Sequence, residues 1–209
     1  MKSVLKPVLV ASALALSACT GLGAGESGFS DYSAVSVKRV SVGDDSMSVI
    51  PPRPWNRQRH VTFGDIREVD TWTLNGPYLD EIDFVSGLKD NRALIRQRWN
   101  ANQQVPRFRS NMTPPEIAAM LESLFRVRGG AVDFRTLSLT PRPFLGTNGF
   151  QIEYEHLDND ELWRKGRVVG AVINGRLYMI MLDAAKLHYY ADVLPDFESI
   201  VASARLRGA

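Results

Sequence analysis

Two apolar-rich runs that meet at Asn174-Gly175 constrain this chain more than any other feature. Asn-Gly accepts positive φ at both central positions of a two-residue turn, and that turn matches the twist of an antiparallel hairpin. Trp163 through Ile173 and Leu177 through Leu182 are therefore expected to pair as neighbouring strands. Upstream, Phe150-Gln151-Ile152-Glu153-Tyr154-Glu155 alternates strictly, apolar inward and polar outward. A polar turn from Leu157 to Glu161 joins it to the hairpin, and a turn at Gly146-Thr147-Asn148-Gly149 precedes it. Phe134, Leu137 and Leu139 mark one further strand, so the C-terminal half reads as a meander.

The N-terminal half repeats the pattern less regularly. Val35, Val37, Val40 and Val42 alternate loosely with polar residues, which predicts a first strand. Pro51-Pro52-Arg53-Pro54-Trp55 breaks it, and Trp55 is expected to plug the edge of the core. Glu68 through Leu74 alternates again. Asn75-Gly76 signals a turn, and Leu79, Ile82, Phe84 and Val85 predict the return strand. Ala93-Leu94-Ile95 fits a short strand or a helical turn equally well.

Two helices are expected. Thr113 caps the first, Pro114 and Pro115 fit its opening turn, and Glu116 stands three residues after the cap. Ile117, Met120, Leu121, Leu124 and Phe125 form its apolar face, Arg126 and Arg128 suit its C-terminal end, and Gly129-Gly130 stops it. Pro195-Asp196-Phe197-Glu198 opens the second, with Phe197, Ile200, Val201 and Ala204 on its buried side. Strands in hairpins with helices between and after them make an α+β protein, a mostly antiparallel sheet with flanking helices.

The order of these elements resembles the Mog1/PsbP-like α/β/α sandwich. The resemblance rests on the Pro-rich turn with Trp55, on Gly175-Arg176-Leu177-Tyr178-Met179-Ile180 running into Ala184, Ala185, Tyr189 and Tyr190, and on the closing Phe197 to Ala204. It covers the last 75 or so residues best. It implies a binding or assembly factor, and it carries no binding residue onto this chain.

The N-terminus reads as an address. Lys2 and Lys6 precede the apolar run Val8 to Leu16, which is too short to span a bilayer core of about 30 Å. Leu16-Ser17-Ala18-Cys19 resembles the lipobox of bacterial lipoproteins. That resemblance implies cleavage before Cys19, a lipid on its thiol and acylation of the new amine. Thr20, where Asp would imply retention in the inner membrane, implies the outer membrane; the domain is expected to face the periplasm. The expected organisation is a signal peptide over 1–18, a lipidated Cys19 and Gly-rich flexible tether over 19–33, and one globular domain over 34–209.

Composition narrows the function. Cys19 is the sole cysteine, so no disulfide forms and packing alone holds the domain. The formal charge of +2 comes from the signal: without Lys2 and Lys6, 23 basic residues face 23 acidic ones. Such a balance gives no general basic face for nucleic acid. Charge is uneven along the chain, however. Asp65, Glu68, Asp70, Asp80, Glu81 and Asp83 precede a basic stretch of Lys89, Arg92, Arg96, Arg98, Arg107 and Arg109. The stretches either pair or solvate the surface, or the second faces anionic headgroups or lipopolysaccharide phosphates.

Catalytic patterns are sparse. His60, His156 and His188 stand far apart, with no H-E-x-x-H, nucleophile elbow or phosphate loop. Asp158-Asn159-Asp160-Glu161 lacks the glycine and distal Glu of a calcium loop and reads as a hairpin turn. Glu153 and Glu155 share a strand face and read as its solvent side. His188-Tyr189-Tyr190 either caps the core or lines a pocket with Arg164 or Lys165. The leading expectation is a non-enzymatic, lipid-anchored envelope protein with no cofactor or metal, binding an envelope partner. The alternatives are an envelope hydrolase or other small-molecule enzyme with a site near His188, and a purely structural envelope protein.

Overall fold

The computed structural model describes residues 31–59, 66–96 and 104–208. The expected signal peptide, Cys19 and most of the expected tether lie outside these, as do His60, Asp65 and Arg98. Residues 31–209 form one compact unit.

The elements run β1 (Tyr32–Val35), β2 (Val40–Val42), β3 (Met47–Val49), β4 (Trp55–Gln58), β5 (Val69–Thr73), β6 (Asp80–Leu88), α1 (Pro114–Leu124), β7 (Asp133–Pro141), β8 (Phe150–Leu157), β9 (Trp163–Ile173), β10 (Arg176–Ala185), α2 (Tyr189–Ser203) and β11 (Arg205–Leu206). Eight strands form one antiparallel sheet in the order β1-β4-β5-β6-β10-β9-β8-β7. A smaller sheet has the order β11-β3-β2. The fold is thus α+β, antiparallel, with a helix on either side.

Asn174 and Gly175 take φ values of 49° and 71° at the hairpin tip, as expected for this turn. The strand after it, β10, sits at the centre, with nine of its ten residues buried, because both faces of the sheet are covered. On one face, Ile117, Met120, Leu121 and Leu124 of α1 pack with Ile152, Tyr154, Met179 and Met181. On the other, Phe197, Ile200 and Val201 of α2 pack with Trp72, Phe84, Ile180 and Leu182, and the small sheet adds Val42, Met47 and Val49. Ionic contacts also dock α2: Glu198 accepts from Arg142 (2.6 Å) and Arg167 (2.5 Å), and Arg167 also reaches Glu153.

Several elements depart from expectation. Val35 and Val40 do not share a strand; β1 joins the large sheet and β2 the small one. A bend of four residues separates them, and periodicity alone does not register it. The helix α2 starts at Tyr189, six residues before Pro195, which lies inside it. Burial of Tyr190 and Val193 against the sheet extends the helix through an exposed proline that would otherwise end it. Leu137 is 47% exposed, because a bulge in the edge strand β7 separates Thr136 from Ser138. Ala93-Leu94-Ile95 is neither strand nor helix; it follows a single bridge between Arg92 and Phe108. The capping box of α1 forms as expected, with Thr113 donating to Glu116 at 2.7 and 2.8 Å.

The strands give the large sheet two distinct ends. At one, β5 turns into β6, β8 into β9, and β10 into α2; here a cleft opens, and this is the cleft end. At the other, β9 turns into β10 and β7 into β8; this is the hairpin end.

Candidate functional site

The cleft has a volume of about 470 Å³, within the range of small-molecule and side-chain pockets. Its position follows from the length of α1. Eleven residues of helix cover the sheet from the hairpin end and stop short of the cleft end, leaving the last residues of β8 and β10 and the first of β9 uncovered on that face. A five-residue π-turn from Phe125 to Gly129 then carries the chain off, ending in a left-handed Gly130. It leaves Leu124 and Phe125 as one wall of the cleft; Tyr32, Tyr78 and Pro77 form another.

The floor is a buried ionic network. Asp183 of β10 stands at the centre and is 7% exposed. It accepts from Arg164 Nε at 2.6 Å and faces His156 Nε2 at 3.0 Å. The other imidazole nitrogen, Nδ1, lies 2.7 Å from Asp158 Oδ1. The guanidinium of Arg164 also donates to the Tyr78 carbonyl, fixing the β5–β6 loop over the sheet end. The Tyr154 hydroxyl lies 3.2 Å from the Leu182 carbonyl and 3.4 Å from Asp183. Strand register explains the assembly. His156 pairs with Arg164 across β8 and β9, and Arg164 pairs with Ala185 across β9 and β10, one diagonal step from Asp183.

Environment fixes the protonation states. Burial pushes the His156 imidazole down, but the Asp158 and Asp183 carboxylates beside its two nitrogens outweigh it and raise its pKa from 6.5 to about 9. Burial pushes Asp183 up, but His156 and Arg164 reverse that and hold it below the usual carboxylate range. Burial and the Asp183 charge push the Tyr154 phenol well above 10. At neutral pH the floor is therefore an imidazolium, a guanidinium and two carboxylates, each held by the others. Such a floor is preorganised to present fixed charge. Its histidine is unsuited to general-base work near pH 7, because it already carries the proton.

The packing around the network is tight. His156 stacks over Phe125 at 4.6 Å and near Tyr154 and Phe134. A Cβ at Gly166 would come within 2.1 Å of the Tyr154 ring, so glycine there lets the ring lie flat on β9. Nearby, Thr71 donates to Asp83, and Asp80 accepts from Thr73, Leu74 and Asn75 to build the turn before β6.

The expected cluster at His188 is not assembled. His188 is exposed, with φ 74° and ψ −60°, at the centre of a three-residue turn closed by Tyr189 N donating to Leu187 O at 2.9 Å. Its ring meets Tyr189 edge-on and does not line the cleft. Tyr190 is buried under α2, where Lys165 lies 4.9 Å over its ring. Arg164 faces the opposite side of the sheet. Of the expected His188 cluster and its candidate partners, only Arg164 joins the cleft; His156 and Asp158-Asn159-Asp160, weighed separately in the sequence, also line it, but His156, Asp158, Asp183 and Tyr154 were not singled out as a group. The one local signal was His156 at the last inward-facing step of a strictly alternating strand, in phase with Phe150, Ile152 and Tyr154. Glu153 and Glu155 are ion-paired to Arg167 and Lys186 rather than solvated. Among the described residues no group of three or more His, Cys, Asp or Glu is placed to hold a metal ion, and no helix is long and apolar enough to cross a membrane.

No family model matches the chain, and no curated protein matches its sequence. The solution structure of cyanobacterial PsbP (CyanoP) from Synechocystis sp. is similar in fold. Its TM-score is 0.56 at 16% identity, over 91% of this chain and 98% of that one. The chain path is shared with that protein; at this identity the likeness is one of fold alone. The crystal structure of LpqN, described as involved in cell envelope biogenesis of Mycobacterium tuberculosis, aligns at a TM-score of 0.33 and 8% identity, over 86% of this chain and 87% of that one.

Proposed function

We propose that this chain is a cell-envelope lipoprotein of the Mog1/PsbP-like fold, anchored through Cys19. Its folded domain is a non-enzymatic binding module that receives part of an envelope partner in the cleft. The observation that carries the binding role is the cleft itself, a pocket of about 470 Å³ with aromatic walls and a floor of fixed charge. A floor whose acid, base and guanidinium groups are already engaged with one another suits recognition better than proton transfer. The lipobox-like Leu16-Ser17-Ala18-Cys19 supports the anchor, and Thr20 supports an outer-membrane, periplasm-facing placement.

Two measurements test the two halves. Cells fed an alkyne palmitate should label the wild-type chain and leave Cys19→Ala unlabelled; equal labelling of both removes the anchor. Asn159→Trp at the cleft mouth should abolish recovery of the partner that crosslinks to the wild-type protein, while the folded domain keeps its melting temperature. A partner retained in full by Asn159→Trp places binding elsewhere. Turnover of a substrate, lost in a single cleft variant, would establish an enzyme instead.

A further inference from the structure

The hairpin end of the sheet gathers the basic stretch into one patch. After β6 the chain turns through Lys89 to Arg92, and residues 104–110 return beside it. Asn91 N donates to Phe108 O, Phe108 N donates to Arg92 O, and Ser110 N donates to Asp90, at 2.8, 2.8 and 2.7 Å. Phe108 is fully buried between Arg107 and Arg109, which anchors this two-strand clip to the core and turns its neighbours to solvent. Lys89, Arg92, Arg96, Arg107 and Arg109 are all exposed, and none forms an ion pair with a carboxylate of the described residues. Two acids lie close by: Asp90 holds Ser110 N, and Glu116 holds the Thr113 cap and feels the charge of Arg109. Within the acidic stretch that precedes these cations in sequence, Asp70 sits on Arg57, Asp80 in the β5–β6 turn and Asp83 on Thr71.

β1 begins at Tyr32, part-way along the sheet, and runs toward the cleft end. Tyr32 pairs with Gln58, level with Thr71 and Asp83, and Leu88 lies five residues farther along β6, about 17 Å away. Only eleven residues lie between Cys19 and Asp31, which reach about 40 Å at most when extended. A chain anchored at Cys19 therefore keeps the domain, this end included, within reach of the bilayer that holds the anchor, where even weak contacts form at high effective concentration.

We infer that the Lys89–Arg92 and Arg107–Arg109 patch docks the domain on the anionic lipid headgroups of the membrane that carries its anchor. The cleft then faces away from the bilayer. This rests on the lipoprotein reading for its geometry, but the patch chemistry can be tested without the lipid. Basic side chains near an anionic surface add attraction that salt screens.

The test uses the chain from Thr20 onward, which retains the whole compact unit and both of its hydrophobic cores. Co-sedimentation is measured with vesicles of phosphatidylethanolamine alone and with vesicles containing 30% phosphatidylglycerol (a chosen probe composition). Binding is expected only to the anionic vesicles, weakening as salt rises from about 50 to 300 mM. Arg92→Glu with Arg107→Glu should cut that binding by at least about tenfold. Lys38→Glu, the same charge change in the exposed loop after β1, should leave it unchanged. Equal binding to both vesicle types, or equal loss with Lys38→Glu, overturns the inference. So does binding to soluble inorganic polyphosphate with none to vesicles, which would assign the patch to a soluble polyanion. If Cys19 fails to take label in cells while the patch still binds anionic vesicles, the anchor falls and the docking surface stands.

Discussion

His156 is an imidazole with a carboxylate at each nitrogen, and that arrangement dictates how the fold responds to pH. Its pKa is about 9 in the folded chain against an ordinary 6.5, so folding takes up a proton. The stability gained is full below about pH 6.5 and is lost as pH rises through 9. Asp183 acts in the opposite sense. It is held below 3.8, so its contribution is present above that value and lost as pH falls through its folded pKa. Together they place the optimum between about pH 4 and 6.5, with a decline on the alkaline side on the order of 3 kcal/mol. Chemical denaturation at pH 6 and pH 9.5 should show that decline, and His156→Gln should flatten it while lowering stability at pH 6. A wild-type profile flat between those pH values would show that the imidazole is not held between two carboxylates. Gly166 gives a second expectation at this scale. Gly166→Ala places a methyl group 2.1 Å from the fully buried Tyr154 ring, so it should cost more than about 3 kcal/mol by the same measurement.

At the scale of elements, α2 shows what local signals miss. Pro195 is a strong marker of a helix start, yet the helix begins six residues earlier because Tyr190 and Val193 find a buried place on the sheet. The exposed Pro195 therefore interrupts the backbone ladder without packing in return, and Pro195→Ala should raise stability by about 1 kcal/mol, seen as a higher melting temperature. A lower melting temperature would mean that the proline stiffens the unfolded chain by more than it costs the helix. The strands were legible where one turn signal and one alternation coincide, as in β5–β6, β8 and β9–β10. β1 and β2 were not, because adjacent valines divide between two sheets. The network on the cleft floor was also hidden. Its members sit on three different strands, and only the register between β8, β9 and β10 brings them together. The hairpin-end patch lay in plain sight as a run of arginines, but whether it paired with the acidic run before it depended on the Arg92–Phe108 bridge.

At the scale of the molecule, the two ends of one sheet carry different chemistry. The hairpin end presents cations that form no ion pair among the described residues. The cleft end presents a shaped, charge-locked pocket at the opposite limit of the same strands. A tethered domain lying on its membrane by one end and reading a partner with the other explains both features with a single orientation. The most direct measurement is site-specific photocrosslinking of the full-length protein in living cells, with the reactive side chain placed at Asn159 on the cleft mouth or at Arg107 in the patch. The account predicts a discrete protein adduct from Asn159 and lipid adducts without a protein partner from Arg107. Protein adducts from Arg107 with none from Asn159 would contradict it.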